Sequence, residues 1–236
     1  MPRGAGPGIL QVADNAASIP LRMQIVHPLN RSAHARGFTL VEVVVVLAVV
    51  LLLSAIAVPL VSNYIEDGRR TRATAEVKVV ASAVTNLYKD YGKWPARNNA
   101  GTDNTLYVLY TGSALPASNP FAAGHTFNTW ALDGTHGDVL DNQLLANTPK
   151  GASGGAYPTT GQFRWRGPYL AGGMSNDPWN RPYVVNVIAG HSTNATNYKR
   201  LFVLSAGPNG IIDTPATATA TTDITGDDIG VIINQR

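Results

Sequence analysis

The chain has no cysteine among its 236 residues, and only 14% of its residues are charged. Without cysteine, disulfide bonds, catalytic thiols and cysteine-ligated zinc sites are excluded. No HExxH, GxSxG, P-loop or GxGxxG motif occurs in the structural context that its chemistry requires. The five histidines are dispersed, and the spacing gives no support for a metal or acid–base site built on His125 or His136 with nearby aspartates. The sequence therefore predicts a protein that is not an enzyme.

The distribution of charge is uneven along the chain. The first 37 residues carry four arginines and one aspartate, which accounts for the whole formal net charge of +3. The remaining residues hold 14 basic and 14 acidic side chains, so their net charge is zero. A basic N-terminal end fits the positive-inside rule. The neutral remainder gives no support for nucleic-acid binding, and we expect Arg164–Arg166 to lie on the rim of a folded domain.

The longest apolar run covers residues 38–61, and Glu42 is the only charged residue in it. As a helix this run measures about 36 Å, enough to cross ~30 Å of hydrocarbon. A charge at the centre of such a helix costs roughly 2.5–3.5 kcal/mol on insertion scales, so a carboxylate near one end still needs a partner. Pro59 removes a backbone donor and is expected to bend or loosen the helix.

The segment Gly37–Glu42 resembles the processing site of type IV pilins and of the pseudopilins of type II secretion systems. The resemblance implies that a prepilin peptidase cleaves between Gly37 and Phe38 and that Phe38 is then N-methylated. It also implies that Glu42 pairs with the Phe38 amine of a neighbouring subunit during assembly, and that Pro59 occupies a position where the family carries a helix-distorting proline. Residues 1–37 are then a cytoplasmic leader that is removed. Met23 would begin a leader of more usual length.

Helical periodicity continues beyond the apolar run. Apolar residues recur at spacings of three and four, which defines one stripe: Ala73, Val77, Val80, Val84, Leu87 and Tyr91. Gly92 and Pro95 end the pattern. We expect one helix over roughly 38–91, with a second half that packs on a small sheet.

The rest of the chain divides by composition. Residues 96–165 are rich in Asn, Gly, Thr, Ala and Pro and predict a long loop region, with a short turn or strand at 106–109 and a short helix at 138–145. Runs at 183–188 and 200–204 predict an antiparallel hairpin, and 229–233 a third strand. The predicted fold class is α+β and pilin-like, a long N-terminal helix packed on a small antiparallel β-sheet. The predicted regions are a leader (1–37), a membrane or filament-core helix (38–61), its amphipathic continuation (62–95), the loop region (96–165) and the sheet with an acidic C-terminal loop (166–236).

A second resemblance is narrower. Gly167–Leu170 followed by Asp177–Tyr183 is similar to the major pseudopilin of type II secretion, except that Asn180 stands where that family has glycine. Asn tolerates left-handed backbone geometry, so the turn can survive. We expect these residues to be architectural rather than chemical.

The same family resemblance implies a calcium ion in the C-terminal loop. Calcium takes six to eight oxygen ligands, carboxylates and carbonyls among them. The alternative is a solvated acidic loop whose aspartates only cap turns. The expected ligands are Asp213 and Asp228, followed by Asp223, Asp227 and Ser205.

Three functions are open at this stage. The leading one is a structural subunit of a type II secretion pseudopilus, anchored in the bacterial inner membrane with its C-terminal domain in the periplasm. Its partners would be identical subunits, other pseudopilins, the prepilin peptidase and an inner-membrane assembly platform. The alternative is a type IV pilin, major or minor, used for adhesion, motility or DNA uptake, in a surface filament. The third is a membrane-tethered enzyme or binding domain, which predicts a defined polar pocket.

Overall fold

A computed structural model describes residues 37–117, 119–121, 135–191, 199–216 and 219–234. The predictions for the leader up to residue 36, including the start at Met23, and for His125 lie outside these residues. The chain divides into two compact units, residues 1–50 and 51–236, which we describe separately.

In the first unit, helix α1 (Leu40–Tyr91) begins at Leu40 after three non-helical residues. Every residue of α1 up to Val50 is exposed, although all except Glu42 are apolar. The most apolar window of α1 has a mean hydropathy of 3.1, and by length and composition α1 is the one helix in the described part of the chain that could cross a membrane. An apolar surface of this kind is stable in lipid or against other apolar helices, since in water it would stay unburied.

In the second unit, α1 buries one side. Its buried residues include the whole predicted stripe, with Ala81 and Ala83 beside it, so this prediction is confirmed. The helix ends at Tyr91, where Gly92 adopts a φ of +81° and donates its N–H to the carbonyl of Tyr88 at 2.7 Å. Left-handed geometry at this position is the usual role of glycine at a helix C-terminus.

The sheet has five strands in the order β2-β1-β3-β4-β5. The neighbours β1 and β2 run parallel, and the other three pairs run antiparallel. The predicted hairpin (β3 and β4) and third strand (β5) are confirmed, but the sheet is mixed rather than antiparallel. Its strands are β1 (Val108–Tyr110), β2 (Gly137–Val139), β3 (Val184–Asn186), β4 (Arg200–Ser205) and β5 (Ile229–Asn234).

The parallel pair of β1 and β2 is the part of the sheet that the predicted antiparallel arrangement did not include. Both strands lie in the region predicted as a long loop. β1 overlaps the short turn or strand predicted at 106–109, whereas β2 was not predicted, because three residues are too few to show an alternating pattern. Parallel neighbours need a connection of a dozen or more residues, and the 26 residues between Tyr110 and Gly137 provide one.

Alternate residues of each strand face two different cores. Leu201 and Val203 pack with the buried stripe of α1, whereas Phe202 and Leu204 pack on the other side with Tyr110. The period of two in a strand produces this division. The second face is covered by the C-terminal loop, which contributes Ile212.

Two polar networks, one partly buried and one buried, order the segment between α1 and β3. Asp103 accepts hydrogen bonds from Tyr91, Lys93 and Arg97, with a distance of 2.7 Å between its Oδ1 and Nη1 of Arg97. Burial alone would raise the pKa of Asp103, but the bonds from these three residues outweigh it and hold the pKa below its ordinary value.

Asp138 anchors the second network. Its buried carboxylate accepts from the backbone N–H groups of Val139 and Lys150 and from the amides of Asn142 and Gln143. These four donors satisfy the buried carboxylate of Asp138. Short helices surround this network: α2 (Leu140–Leu144) and the 3₁₀ turns Pro149–Gly151 and Ser153–Gly155, with a further 3₁₀ turn, Ile188–Gly190, after β3.

Candidate processing and assembly site

Gly37 lies directly before the first turn of α1 and has no side-chain role in the fold. A Cβ added at Gly37 would meet no atom of the described residues within 4 Å, and Gly37 does not adopt a positive φ. Local packing therefore does not require glycine here, unlike Gly207, where a Cβ would lie 2.2 Å from the carbonyl oxygen of Asp227.

Thr39 and Glu42 cap the start of α1 reciprocally. The hydroxyl of Thr39 accepts from the N–H of Glu42 at 3.2 Å, and Oε2 of Glu42 accepts from the N–H of Thr39 at 3.4 Å. This is a capping box, in which an N-cap Ser or Thr and a Glu or Gln three residues later satisfy two backbone donors. Glu42 therefore has a partner within its own chain, although the 3.4 Å bond is long.

Phe38 and Glu42 share a groove of about 240 Å³ with three aliphatic residues, Val43, Val46 and Leu47. Phe38 is 84% exposed. The structure thus brings the predicted new N-terminal residue and the predicted assembly carboxylate to one face. Cleavage and pairing at these residues stay predictions.

Pro59 lies inside α1, and the helix is continuous through it. Because proline has no N–H, the carbonyl four residues earlier loses its usual partner. Ser62 donates its hydroxyl to the carbonyl of Val58 at 3.1 Å in the same turn. The expected bend or loosening is thus not seen as a break in the helix.

The Asp177 turn is built as an architectural element. Oδ1 of Asp177 accepts from the N–H groups of Trp179 (3.0 Å) and Arg181 (2.8 Å), and Asn180 adopts a φ of +67°. Oδ2 of Asp177 accepts from the hydroxyl of Ser205 at 2.6 Å, with both residues buried. Ser205, a predicted calcium ligand, is thus engaged with Asp177 in this structure.

The residues after Asp177 tie the sheet to α1. The indole N–H of Trp179 donates to Glu66 at 3.3 Å, and the Tyr183 hydroxyl donates to Glu76 in a short hydrogen bond. Glu76 also pairs with Arg72 at 2.8 Å. These contacts fix which face of α1 meets the sheet.

Three aspartates of the C-terminal loop accept hydrogen bonds from Asn209 and Thr214 of the same loop. Asn209 donates its N–H to Asp227 (3.0 Å) and its amide to Asp213 (3.2 Å), while Asp228 accepts from the N–H and hydroxyl of Thr214. Burial and the nearby Asp213 raise the pKa of Asp228 to about 6. Asp223 is exposed and accepts only from the adjacent Ile224 N–H among the described contacts.

These residues fit a metal ion in part. One oxygen each of Asp227 and Asp228 is buried without a hydrogen-bond partner. Within the described ranges, however, no group of three or more His, Cys, Asp or Glu side chains is arranged to hold a metal. Calcium stays a prediction.

Other sequence patterns lie in ordinary structural settings where the structure describes them. Gly151–Gly155 spells GxSxG but lies in the two 3₁₀ turns rather than in a strand–turn–helix. His136 stacks on Tyr107 with ring centroids 4.3 Å apart. Trp165 is half-buried and packs edge-on against Tyr169, as expected for a domain rim.

Comparison with known proteins gives the family. The model of the prokaryotic N-terminal methylation motif matches residues 32–58. The fimbrial protein EcpC of Eikenella corrodens is 30% identical over 116 residues, which cover 48% of this chain and 76% of EcpC. The chain belongs to the type IV pilin family.

Other relatives match over shorter stretches. The type IV major pilin PilE1 of Neisseria gonorrhoeae is 37% identical over 65 residues, 28% of this chain and 39% of that pilin. The toxin coregulated pilin of Vibrio cholerae is 36% identical over 96 residues, 39% of this chain and 43% of that pilin. The chain thus spans less than half of these two pilins. No solved structure matches it.

Sequence reasoning missed the capping box and the Asp177–Ser205 pair. The pattern Thr-x-x-Glu at residues 39–42 is a known signature of a helix start and indicates the capping box. The second joins residues 28 positions apart, and no local signal in the sequence indicates it.

Proposed function

We propose that this chain is a structural subunit of a type IV pilus-like filament. It inserts in the bacterial inner membrane through residues 38–61 with its C-terminal domain in the periplasm, is cleaved between Gly37 and Phe38, and is methylated at Phe38. An assembly platform then adds it to identical subunits. The observation that carries the proposal is the shared groove of Phe38 and Glu42 beside a glycine that the fold does not require.

The capping box suggests how Glu42 changes its hydrogen-bond partner during assembly. In the uncleaved chain Glu42 accepts a long hydrogen bond from the Thr39 N–H. Cleavage creates a charged amine on Phe38, and a charge-assisted hydrogen bond to a carboxylate is roughly twice as strong as a neutral one. Glu42 therefore gains by exchanging its own helix cap for the Phe38 amine of a neighbouring subunit. This exchange offsets the cost of holding a carboxylate in an apolar surface.

Processing is tested by mass spectrometry of the N-terminus after co-expression with a prepilin peptidase. We expect wild type to yield N-methylated Phe38 and Gly37→Val to remain uncleaved. Gly68→Val is the matched control, since Gly68 also has no atom within 4 Å of an added Cβ. Cleavage of Gly37→Val at the wild-type rate would contradict the proposal.

Assembly is tested with variants that separate charge from capping. Glu42→Gln keeps a capping-box residue but removes the charge, whereas Thr39→Val removes the hydroxyl cap and keeps the charge. We expect Glu42→Gln to be inserted and cleaved normally but to form at least tenfold less filament, as a lost charge-assisted bond of about 1.5–3 kcal/mol would produce. Thr39→Val should assemble. Normal filaments from Glu42→Gln would defeat the charge-pairing account.

The second candidate is a subunit of a type II secretion pseudopilus. The observation in its favour is the Asp177 turn, in which the residues of the pseudopilin-like segment Asp177–Tyr183 fix the sheet on α1. Deleting the gene distinguishes the two. Loss of secreted enzyme with surface filaments unchanged would favour the pseudopilus, and loss of surface filaments would favour the pilus. Adjacent genes for a secretin and other pseudopilins would also favour the pseudopilus.

We also propose that the C-terminal loop takes calcium through Asp213, Asp227 and Asp228. The support is the pair of buried carboxylate oxygens without partners. When bound, calcium would supply a positive charge to these aspartates and hold the loop closed. Melting of the full-length protein in detergent should shift upward with calcium and downward with EDTA. The shift should vanish in Asp228→Asn and persist in Asp223→Asn; equal melting in calcium and EDTA would overturn this proposal.

A further inference from the structure

The edge of the sheet at β5 is open in the described part of the chain. β5 pairs with β4 on one side and has no strand on the other. In an antiparallel pair every second residue directs its N–H and C=O away from its neighbour, so half of the backbone groups of β5 face outward. β5 reads Ile-Gly-Val-Ile-Ile-Asn, with no charge and no proline to block another strand.

A groove of about 620 Å³ lies beside this edge, between β5 and α1. The floor of the groove is formed by Val231 and Ile233 of β5. Their side chains are partly buried and pack against the core that contains the buried stripe of α1. Its wall is the exposed face of α1 from Lys78 to Lys89. The volume lies within the range of ligand-binding clefts.

Some polar side chains of the groove wall are hydrogen-bonded within α1, and others are exposed. The hydroxyls of Ser82 and Thr85 donate to carbonyls of their own helix, both at 2.8 Å, so they present methyl and methylene surface. Lys78 and Lys89 are exposed, and neither forms an ion pair within the described ranges. The groove therefore has an apolar floor with a positive charge towards each end.

The spacing of the two lysines matches an extended chain. Lys89 lies eleven positions after Lys78, about 16 Å along the axis of α1, and residues i and i+4 of a strand are about 13 Å apart. Side chains on one face of a strand recur at every second residue. An added strand could therefore present one carboxylate towards each lysine and an aliphatic side chain between them.

We propose that β5 and this groove bind an extended acidic peptide segment of another protein by strand addition. The backbone of the peptide pairs with the free edge of β5, and its carboxylates meet Lys78 and Lys89. Edge addition with side-chain pockets is a general mode of peptide recognition.

The test uses full-length protein in detergent and a fluorescent peptide, Thr-Glu-Thr-Val-Thr-Glu-Thr. Its matched partner carries Lys in place of both Glu. By fluorescence anisotropy we expect the acidic peptide to bind about tenfold more tightly than the basic one, the effect of two exposed ion pairs. The double variant Lys78→Glu/Lys89→Glu should reverse this order. Both sites are exposed on α1, so the variant should fold.

Three outcomes would overturn the proposal. The first is equal affinity for the acidic and basic peptides. The second is undiminished binding of an acidic peptide whose alternate backbone amides are N-methylated, since that peptide cannot complete a strand ladder. The third is a sedimentation experiment in which wild type forms a dimer whose second copy covers β5 and excludes the peptide. A backbone shift of β5 amides in NMR spectra on adding the acidic peptide would support the proposal directly.

Discussion

The two halves of α1 bury different amounts of surface although they belong to one helix. From Leu40 to Val50 every side chain is exposed and nearly all are apolar, whereas from Ala73 to Tyr91 one stripe is buried and the other faces are polar. The first half is apolar all round, which is typical of a helix that meets lipid or other helices. The second half is amphipathic and has its partner within the chain. Mutations should therefore act on different properties in the two halves.

The largest contrast is expected for leucine truncation. Leu87 is fully buried against the sheet, and Leu47 is 55% exposed. Leu87→Ala should lower the free energy of unfolding by about 2–5 kcal/mol through lost burial and a cavity. Leu47→Ala should change it by less than about 0.5 kcal/mol. Denaturant unfolding of both variants in detergent measures this, and equal losses would show that the first half is also packed.

The carboxylates of the two halves give the next contrast. Glu76 accepts from the Tyr183 hydroxyl and pairs with Arg72, so Glu76→Leu should cost about 1–3 kcal/mol of unfolding free energy. Glu42→Leu removes only an exposed cap and should cost the C-terminal domain nothing measurable. Thermal unfolding followed by near-ultraviolet circular dichroism distinguishes the two. A lower melting temperature of the C-terminal domain in Glu42→Leu would contradict the prediction that Glu42 does not stabilise this domain.

The pH dependence of stability should come from the second half and the loops behind it. The folded pKa of Asp103 is depressed, so its contribution is present above the ordinary aspartate pKa and is lost as pH falls through the folded value. The folded pKa of Asp228 is raised to about 6, so the folded state binds more protons there, and stability should fall as pH rises from about 4 to about 6.

Stability should therefore be greatest in mildly acidic solution without calcium. Asp228→Asn should remove the decline between these pH values, and Asp103→Asn should remove the loss at lower pH. Melting temperatures from pH 3 to pH 8 measure both. If calcium binds Asp228, adding it should abolish the decline near pH 6. A decline that survives in Asp228→Asn would assign it to another group.

The smallest effect is expected at Gly68, between the two stretches. Gly68 is exposed and has no atom near an added Cβ. Gly68→Ala should stabilise the helix by about 1 kcal/mol through propensity alone. Hydrogen exchange of the amides flanking residue 68 should slow by about fivefold, which is what 1 kcal/mol provides. Unchanged exchange would indicate that neighbouring contacts already hold this turn.

The sequence was most informative where patterns are long or local. The stripe from Ala73 to Tyr91 repeats over five turns, and its burial followed from periodicity alone. The left-handed Asn180 followed from turn chemistry. Helix α2 (Leu140–Leu144) lies within the predicted 138–145.

The remaining features depend on contacts between distant residues. The pairing of β1 with β2 joins two three-residue segments, and the Asp103 and Asp138 networks depend on side chains that the fold brings together. No local sequence pattern indicates that Glu76 accepts a hydrogen bond from Tyr183, because the two residues lie 107 positions apart. At the candidate processing site the residues followed from the family resemblance, but the capping geometry that engages Glu42 was not predicted.

The pairing of β1 with β3 has a consequence for the order of folding. β3 and β4 are separated by a connection of 13 residues, whereas β1 pairs with β3 across more than 70 residues. The entropy of loop closure rises with loop length, and contacts distant in sequence form slowly. We therefore expect α1 and the β3–β4 hairpin to form early, and the residues between Trp94 and Leu170 to dock last. A subunit caught before that step would present the unpaired side of β3, so the rate of β1 docking sets how long the nascent domain exposes a strand that others can bind.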